Sequence, residues 1–125
     1  MTISQTTITA QEIAEYREEL HDYPEALKAL QVIEDCNGNL DKAAAMLSEQ
    51  ELLQSSAWFN RIVSRSRRVI CQKDFKEDLL CGLIAGAIET LATSMAIPPG
   101  LATPIVIYVV KQGINQFCED FEDEP

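Results

Sequence analysis

A chain of 125 residues, 46% of them hydrophobic, suits one domain, or one domain with a small appendage, and buries roughly two thirds of its unfolded surface. Twenty acidic against ten basic residues leave a net charge of −10, which repels nucleic acid and anionic membrane except where basic side chains cluster. The four cysteines, Cys36, Cys71, Cys81 and Cys118, show no CxxC or Cys/His ligand spacing, and the N-terminus lacks a signal-peptide layout. These features point to a reducing cytoplasm, with all four thiols as small core or boundary residues.

Residues 1–8 carry Ser, Thr and Gln without a clear period and read as a flexible leader. Thr9 to Leu20 predicts a helix: Thr9 and Glu12 have capping-box spacing, and Ile13, Tyr16, Arg17 and Leu20 share a face. Asp22 is the expected cap of a second helix, with Pro24 at its first position and Ala26, Leu27, Leu30 and Ile33 repeating up to Cys36. Asn37-Gly38-Asn39 breaks that helix, with Gly38 supplying left-handed geometry. Asn39 then caps a short third helix through Leu40, Ala43, Ala44 and Leu47. Each piece is too short to persist alone in water, so residues 9–49 are expected as a three-helix unit.

The runs Pro24-Glu25-Ala26-Leu27-Lys28-Ala29-Leu30 and Asn37-Gly38-Asn39-Leu40-Asp41-Lys42-Ala43-Ala44-Ala45-Met46-Leu47 resemble the second and third helices of a ubiquitin-associated (UBA-like) domain. That resemblance implies a three-helix module that binds other proteins through a small apolar surface, for which Leu20, Tyr23, Met46 and Leu47 are the candidates. Leu20-His21-Asp22-Tyr23 stands where the family has its Met-Gly-Phe loop. The stretch from Gly38 to Leu47 is also similar to the first helix of Fis-type helix-turn-helix proteins, with Ser48 in place of the family's glycine. This second resemblance implies DNA binding.

Residues 50–118 are expected to hold a connecting helix and an apolar helical hairpin. From Glu51 towards Cys71, Leu52, Leu53, Trp58, Phe59, Ile62, Val63, Ser66, Val69 and Ile70 form an apolar side. Arg61, Arg65 and Arg68 share another face, and Arg67, Lys73 and Lys76 extend the positive zone; six of the ten basic residues lie between Arg61 and Lys76. Residues 73–78 form a mixed-charge joint, and residues 119–125 form an acidic tail.

Between Leu79 and Val110 the only formal charge is Glu89. A helix through Leu80, Leu83, Ile84, Ala87, Ile88, Leu91 and Met95 buries a wide stripe, with Gly82 and Gly86 expected as a close helix-packing pair. Pro98-Pro99-Gly100 ends it, and Thr103 and Pro104 are the expected cap and first residue of the next helix. Ile105 to Val110 is β-branched enough for a strand, but no second such run exists to pair with it, so helix is the reading, continuing through Gly113, Ile114 and Phe117. A bilayer span is disfavoured because Leu101 to Val110 reaches only about 15 Å before Lys111.

His21 reads as a loop or cap residue. Glu89 is either a buried acid–base group or, the preferred reading, a carboxylate at a helix edge. No catalytic motif, metal-ligand spacing or cofactor loop is present in the sequence, so no enzyme, metal or cofactor is expected. The expected fold is all-α, and the expected function is a non-catalytic protein–protein interaction module, an adaptor or regulatory subunit that self-associates through the apolar hairpin. The alternatives are a nucleic-acid-binding regulator using the helix at Arg61 to Arg68, and a peripheral membrane protein.

Overall fold

The structure, a computed structural model, describes residues 7–48 and 56–118, with the backbone alone for Ser48 and residues 56–60. Among these residues the chain is all-α: α1 (Ala10–Glu19), α2 (Pro24–Asp35), α3 (Leu40–Ser48), α4 (Ser56–Ile70), α5 (Lys73–Leu80), α6 (Ile84–Met95), α7 (Pro99–Gln112) and α8 (Ile114–Phe117).

α1 starts where its capping box closes. The Thr9 hydroxyl accepts from the Glu12 N–H at 3.1 Å, and the Glu12 carboxylate accepts from the Thr9 N–H at 2.8 Å. The cap of α2 is Tyr23 rather than Asp22, and no side chain bonds there. Pro24, with no N–H to satisfy, makes a side-chain cap less necessary. α2 ends in a Schellman motif, Asn37 N–H to Glu34 carbonyl at 2.9 Å and Gly38 N–H to Ile33 carbonyl at 2.8 Å. Asn37 (φ 59) takes the left-handed position expected for Gly38, which is itself left-handed (φ 84).

Gly38 answers a second constraint. The Ile8 N–H donates to its carbonyl at 2.9 Å, and a Cβ on Gly38 would lie 2.0 Å from the Ile8 carbonyl oxygen. Thr7 pairs with Asn39 in an isolated bridge, and Ile8 is buried. The end of the expected leader is therefore anchored; residues 1–6 lie outside the described residues, as do the acidic tail and the predicted start of the connecting helix, including Leu52 and Leu53. Asn39 caps α3 as expected, its Oδ1 accepting from the Lys42 N–H at 3.0 Å.

Along α4, Val63, Ser66 and Ile70 are buried. The Ser66 hydroxyl donates to the Val63 carbonyl at 2.6 Å, which satisfies it inside the core. The expected continuous helix through Leu80 and Leu83 is instead two helices. α5 closes in a Schellman motif, Gly82 N–H to Leu79 carbonyl (3.0 Å) and Leu83 N–H to Asp78 carbonyl (2.9 Å), with Gly82 at φ 82. Leu80 and Leu83 are consequently 60% and 55% exposed. Gly82 turns the chain and Gly86 faces open space, with nothing within 4 Å of a Cβ at either position. The close-packing role expected for the Gly82/Gly86 pair is thereby corrected.

α7 starts four residues before the expected Thr103 cap. Pro98 is extended (φ −65, ψ 148) and its carbonyl accepts from the Leu101 and Ala102 N–H groups at 3.0 and 3.1 Å. Thr103 lies inside the helix, donating its hydroxyl to the Pro99 carbonyl at 2.8 Å, and Pro104 follows it within the helix. The β-branched run is helical. α7 packs against α2, α3 and α6, and residues 101–107 and Val109 are buried. One cluster of buried side chains runs from Ile8 to Cys118 and takes in most of the apolar side chains of α6 and α7, while Leu80 and Leu83 stay exposed.

No single helix among the described residues is long and apolar enough to cross a membrane; α6 and α7 together have the composition but turn by 119° between them. Lys111, near the end of α7, reaches back to Glu12 at 3.2 Å. The Thr9 backbone N–H, aided by Lys111 against partial burial, holds the Glu12 carboxyl below its ordinary pKa.

Two of the four cysteines are not thiols. Cys71, after α4, is disulfide-bonded to Cys118, after α8, across a separation of 47 residues, with Cα atoms 5.6 Å apart. The break at Gly113 (φ 99) and the short α8 bring Cys118 back to the end of α4. That return is a tertiary event, invisible in cysteine spacing. Cys36, buried, and Cys81, exposed, are free.

Candidate interaction site

α2 begins at the edge of a cleft. Tyr23 closes the turn from α1 by donating its N–H to the Leu20 carbonyl at 2.9 Å, and Pro24 starts the helix beside α6. The cleft, about 180 Å³, is lined by Leu20, Tyr23, Pro24, Glu25 and Ala26 on one side and by Ala85, Ile88, Glu89 and Pro99 on the other. Leu20, Ala26 and Ile88 are buried side chains, whereas Tyr23, Pro24, Glu25 and Glu89 are exposed. An apolar floor thus sits within an open rim that carries two carboxylates.

A second, shallower hollow of about 480 Å³ lies across Glu25. Lys28, Gln31 and Val32 of α2 line it with Met46 and Leu47 of α3 and with Pro98, Gly100 and Leu101. Glu25 lines both hollows, and the Pro98-Pro99 turn contributes to both, one proline to each.

The candidate surface from the UBA-like resemblance is divided by this geometry. Tyr23, 38% exposed, edges the first hollow, and Met46, 50% exposed, lies with Leu47 on the second. Leu20 is corrected: at 0% exposure it is core, because the turn after α1 folds it inward under Tyr23. Met46 also accepts a weak contact from the Cys36 thiol, Sγ to Sδ 3.5 Å. Burial raises the pKa of that thiol, Lys42 and Asp35 acting more weakly, which favours its protonated, inert form.

The α6 side of the cleft, Ala85 and Ile88, was not legible as a site. Helical spacing marks Ile88 as core, and only packing against the start of α2 makes it a cleft floor. The usable signal was Glu89, the single charge in the apolar stretch. It is exposed at the cleft rim, and hence a helix-edge carboxylate. His21 lies in the turn, Nδ1 2.9 Å from the Glu18 carbonyl and Nε2 3.2 Å from the Asp22 carboxylate.

The other candidate face is on α4. Arg61, Arg65 and Arg68 are exposed, and Ser64, Arg65 and Arg68 line a hollow of about 440 Å³. None of the three forms an ion pair with another described residue. The acidic tail, residues 119–125, lies outside the described residues. Arg67 departs from this face: it is half-buried, its guanidinium 4.8 Å above the Phe117 ring, and its Nε is buried without a hydrogen-bond partner among the described residues. Its role is packing beside the Cys71–Cys118 bond, a stacked arginine rather than a contact residue.

Comparison of the chain with family models, with curated proteins and with solved structures gives no match.

Proposed function

We propose that the chain is a non-catalytic protein-interaction module, an adaptor or regulatory subunit, that receives its partner on the cleft between α2 and α6. The observation that carries this reading is the concave apolar floor of Leu20, Ala26 and Ile88 left open between exposed Tyr23 and Glu89. Concave apolar surface with a few polar groups at its edge is where proteins gain most from desolvation. The UBA-like reading of residues 9–49 belongs to the same proposal, with Tyr23, Met46 and Leu47 offered to the partner. The Cys71–Cys118 bond favours an oxidising surrounding over the reducing cytoplasm that cysteine spacing suggests.

Ala85→Phe tests the reading by filling the cleft from its wall. Affinity capture from cell extract should lose the partner retained by the parent chain, while circular dichroism shows an unchanged fold. Equal capture by both chains refutes it.

A second reading rests on the three exposed guanidiniums of Arg61, Arg65 and Arg68, which suit a nucleic-acid backbone. It requires affinity for random duplex that falls with salt, by a logarithmic slope of about −0.9 per phosphate contacted, and that vanishes when all three become alanine. A gel-shift titration at low salt without a shifted band eliminates it. The net charge of −10 ranks it below the first reading, since the remaining surface opposes a polyanion.

A further inference from the structure

We infer that the partner is a basic peptide segment, which seats an apolar side chain in the cleft between Ala26 and Ile88 and a lysine or arginine between Glu25 and Glu89; this presupposes the interaction reading above. The volume of about 180 Å³ admits a single large aliphatic or aromatic side chain, not a whole helix. Glu25 comes from α2 and Glu89 from α6, so carboxylates stand on both walls of one opening. Neither forms an ion pair with another described residue. The nearest basic side chain on the same helix, Lys28, lines the second hollow and not the cleft.

An acidic segment entering this opening would bring like charges together across apolar, weakly screened surface, which is the usual basis for rejecting a wrong partner. A basic segment meets the opposite situation. It is steered by the chain's net charge of −10 and positioned by the two rim carboxylates.

The second hollow narrows the chemistry further. Because Glu25 lines both hollows, a cation placed on it has apolar side chains of each within a peptide's reach, Ala26 and Ile88 in the first and Met46 and Leu47 in the second, beside Lys28. A small organic amine could occupy one depression only. A peptide with an apolar, basic, apolar order engages both, with Met46 and Leu47 receiving the second anchor.

The test uses the full chain and three fluorescent synthetic peptides: a helical leucine/lysine peptide, its leucine/glutamate counterpart with the same apolar positions, and a serine/lysine peptide of the same charge. Fluorescence anisotropy should show binding of the leucine/lysine peptide alone. Replacing both rim carboxylates, Glu25→Gln with Glu89→Gln, should weaken it about tenfold, each exposed pair being worth up to about 1 kcal/mol. The equal-charge control, Glu15→Gln with Glu18→Gln on α1, should leave it within about twofold. Equal loss in the two double variants means general attraction to an acidic protein and overturns the inference. Equal binding of the lysine and glutamate peptides, still blocked by Ala85→Phe, overturns the basic partner but keeps the cleft. Leucine/lysine binding indifferent to Ala85→Phe, or absent altogether, removes both.

Discussion

α1 and α7 are helices for opposite reasons. α1 has its instructions inside ten residues: Thr9 and Glu12 close a reciprocal cap, and the helix buries only Ile13 completely. α7 has poor local credentials, with Pro104 inside it, a β-branched run from Ile105 to Val110 and no side-chain cap. It is held by enclosure, with α2, α3 and α6 packed around it. Burial of that run recovers more free energy than its weak propensity loses, since a buried aliphatic side chain contributes about 1.5 to 3 kcal/mol and β-branching costs at most about 0.7 kcal/mol per residue. Caps place the ends of a helix in this chain, and neighbours decide whether a poor helix former becomes one.

The contrast is broken or sharpened most directly at Ile107, which is fully buried in α7. Ile107→Ala should destabilise by about 2 to 5 kcal/mol in urea unfolding, and a loss below about 1 kcal/mol would mean that the enclosure is loose. Next is the Cys71–Cys118 bond, which ties the end of the α7–α8 segment to α4. Its reduction should cost about 2 to 4 kcal/mol by freeing the unfolded chain, read as a lowered urea midpoint with dithiothreitol. An unmoved midpoint would place no stabilising role on it.

In α1 the matching experiment is Thr9→Ala, expected to cost about 1 kcal/mol, well below Ile107→Ala; parity between the two would erase the distinction. Gly86→Ala should stabilise by about 0.5 to 1 kcal/mol, because the site is helical and a Cβ meets nothing within 4 Å. Destabilisation there would restore the close-packing role. The smallest effect concerns the link between the two helices, Lys111 to Glu12. Lys111→Ala should cost about 0.2 to 1 kcal/mol at neutral pH and low salt. Because the folded pKa of Glu12 is depressed, its contribution is present above the ordinary carboxylate range and lost as pH falls through the folded value. The parent and Lys111→Ala chains should therefore converge in acid, and a gap that persists there would assign the effect to packing.

Legibility followed the range of the forces involved. The Thr9/Glu12 box, the Asn37 to Asn39 break, the Asn39 cap and the exposed helix-edge Glu89 could be read from a few neighbouring residues. Leu20 was not: the family resemblance offered it as a contact residue although helical spacing put it on one face with Ile13, and the fold buries both. Arg67 likewise belonged with its arginine neighbours until Phe117 arrived from a helix more than forty residues away. Half of the cleft, Tyr23 to Ala26, lies in a stretch already singled out, and the other half comes from α6, whose apolar pattern carries no mark of where it will stop being covered.

By itself the sequence determined an all-α chain, the caps of α1 and α3, the break after α2 and the clustering of positive charge on α4. Those depend on hydrogen bonds and side-chain periods that act within one or two turns. Tertiary structure decided that Gly82 is a turn rather than a packing site, that Cys71 and Cys118 meet, that α7 lies covered against α2, α3 and α6, and that Glu25 and Glu89 face one opening. Each of these joins residues distant in the chain or depends on what packs where, and contact at that range follows from which apolar faces bury one another, a choice no local pattern encodes.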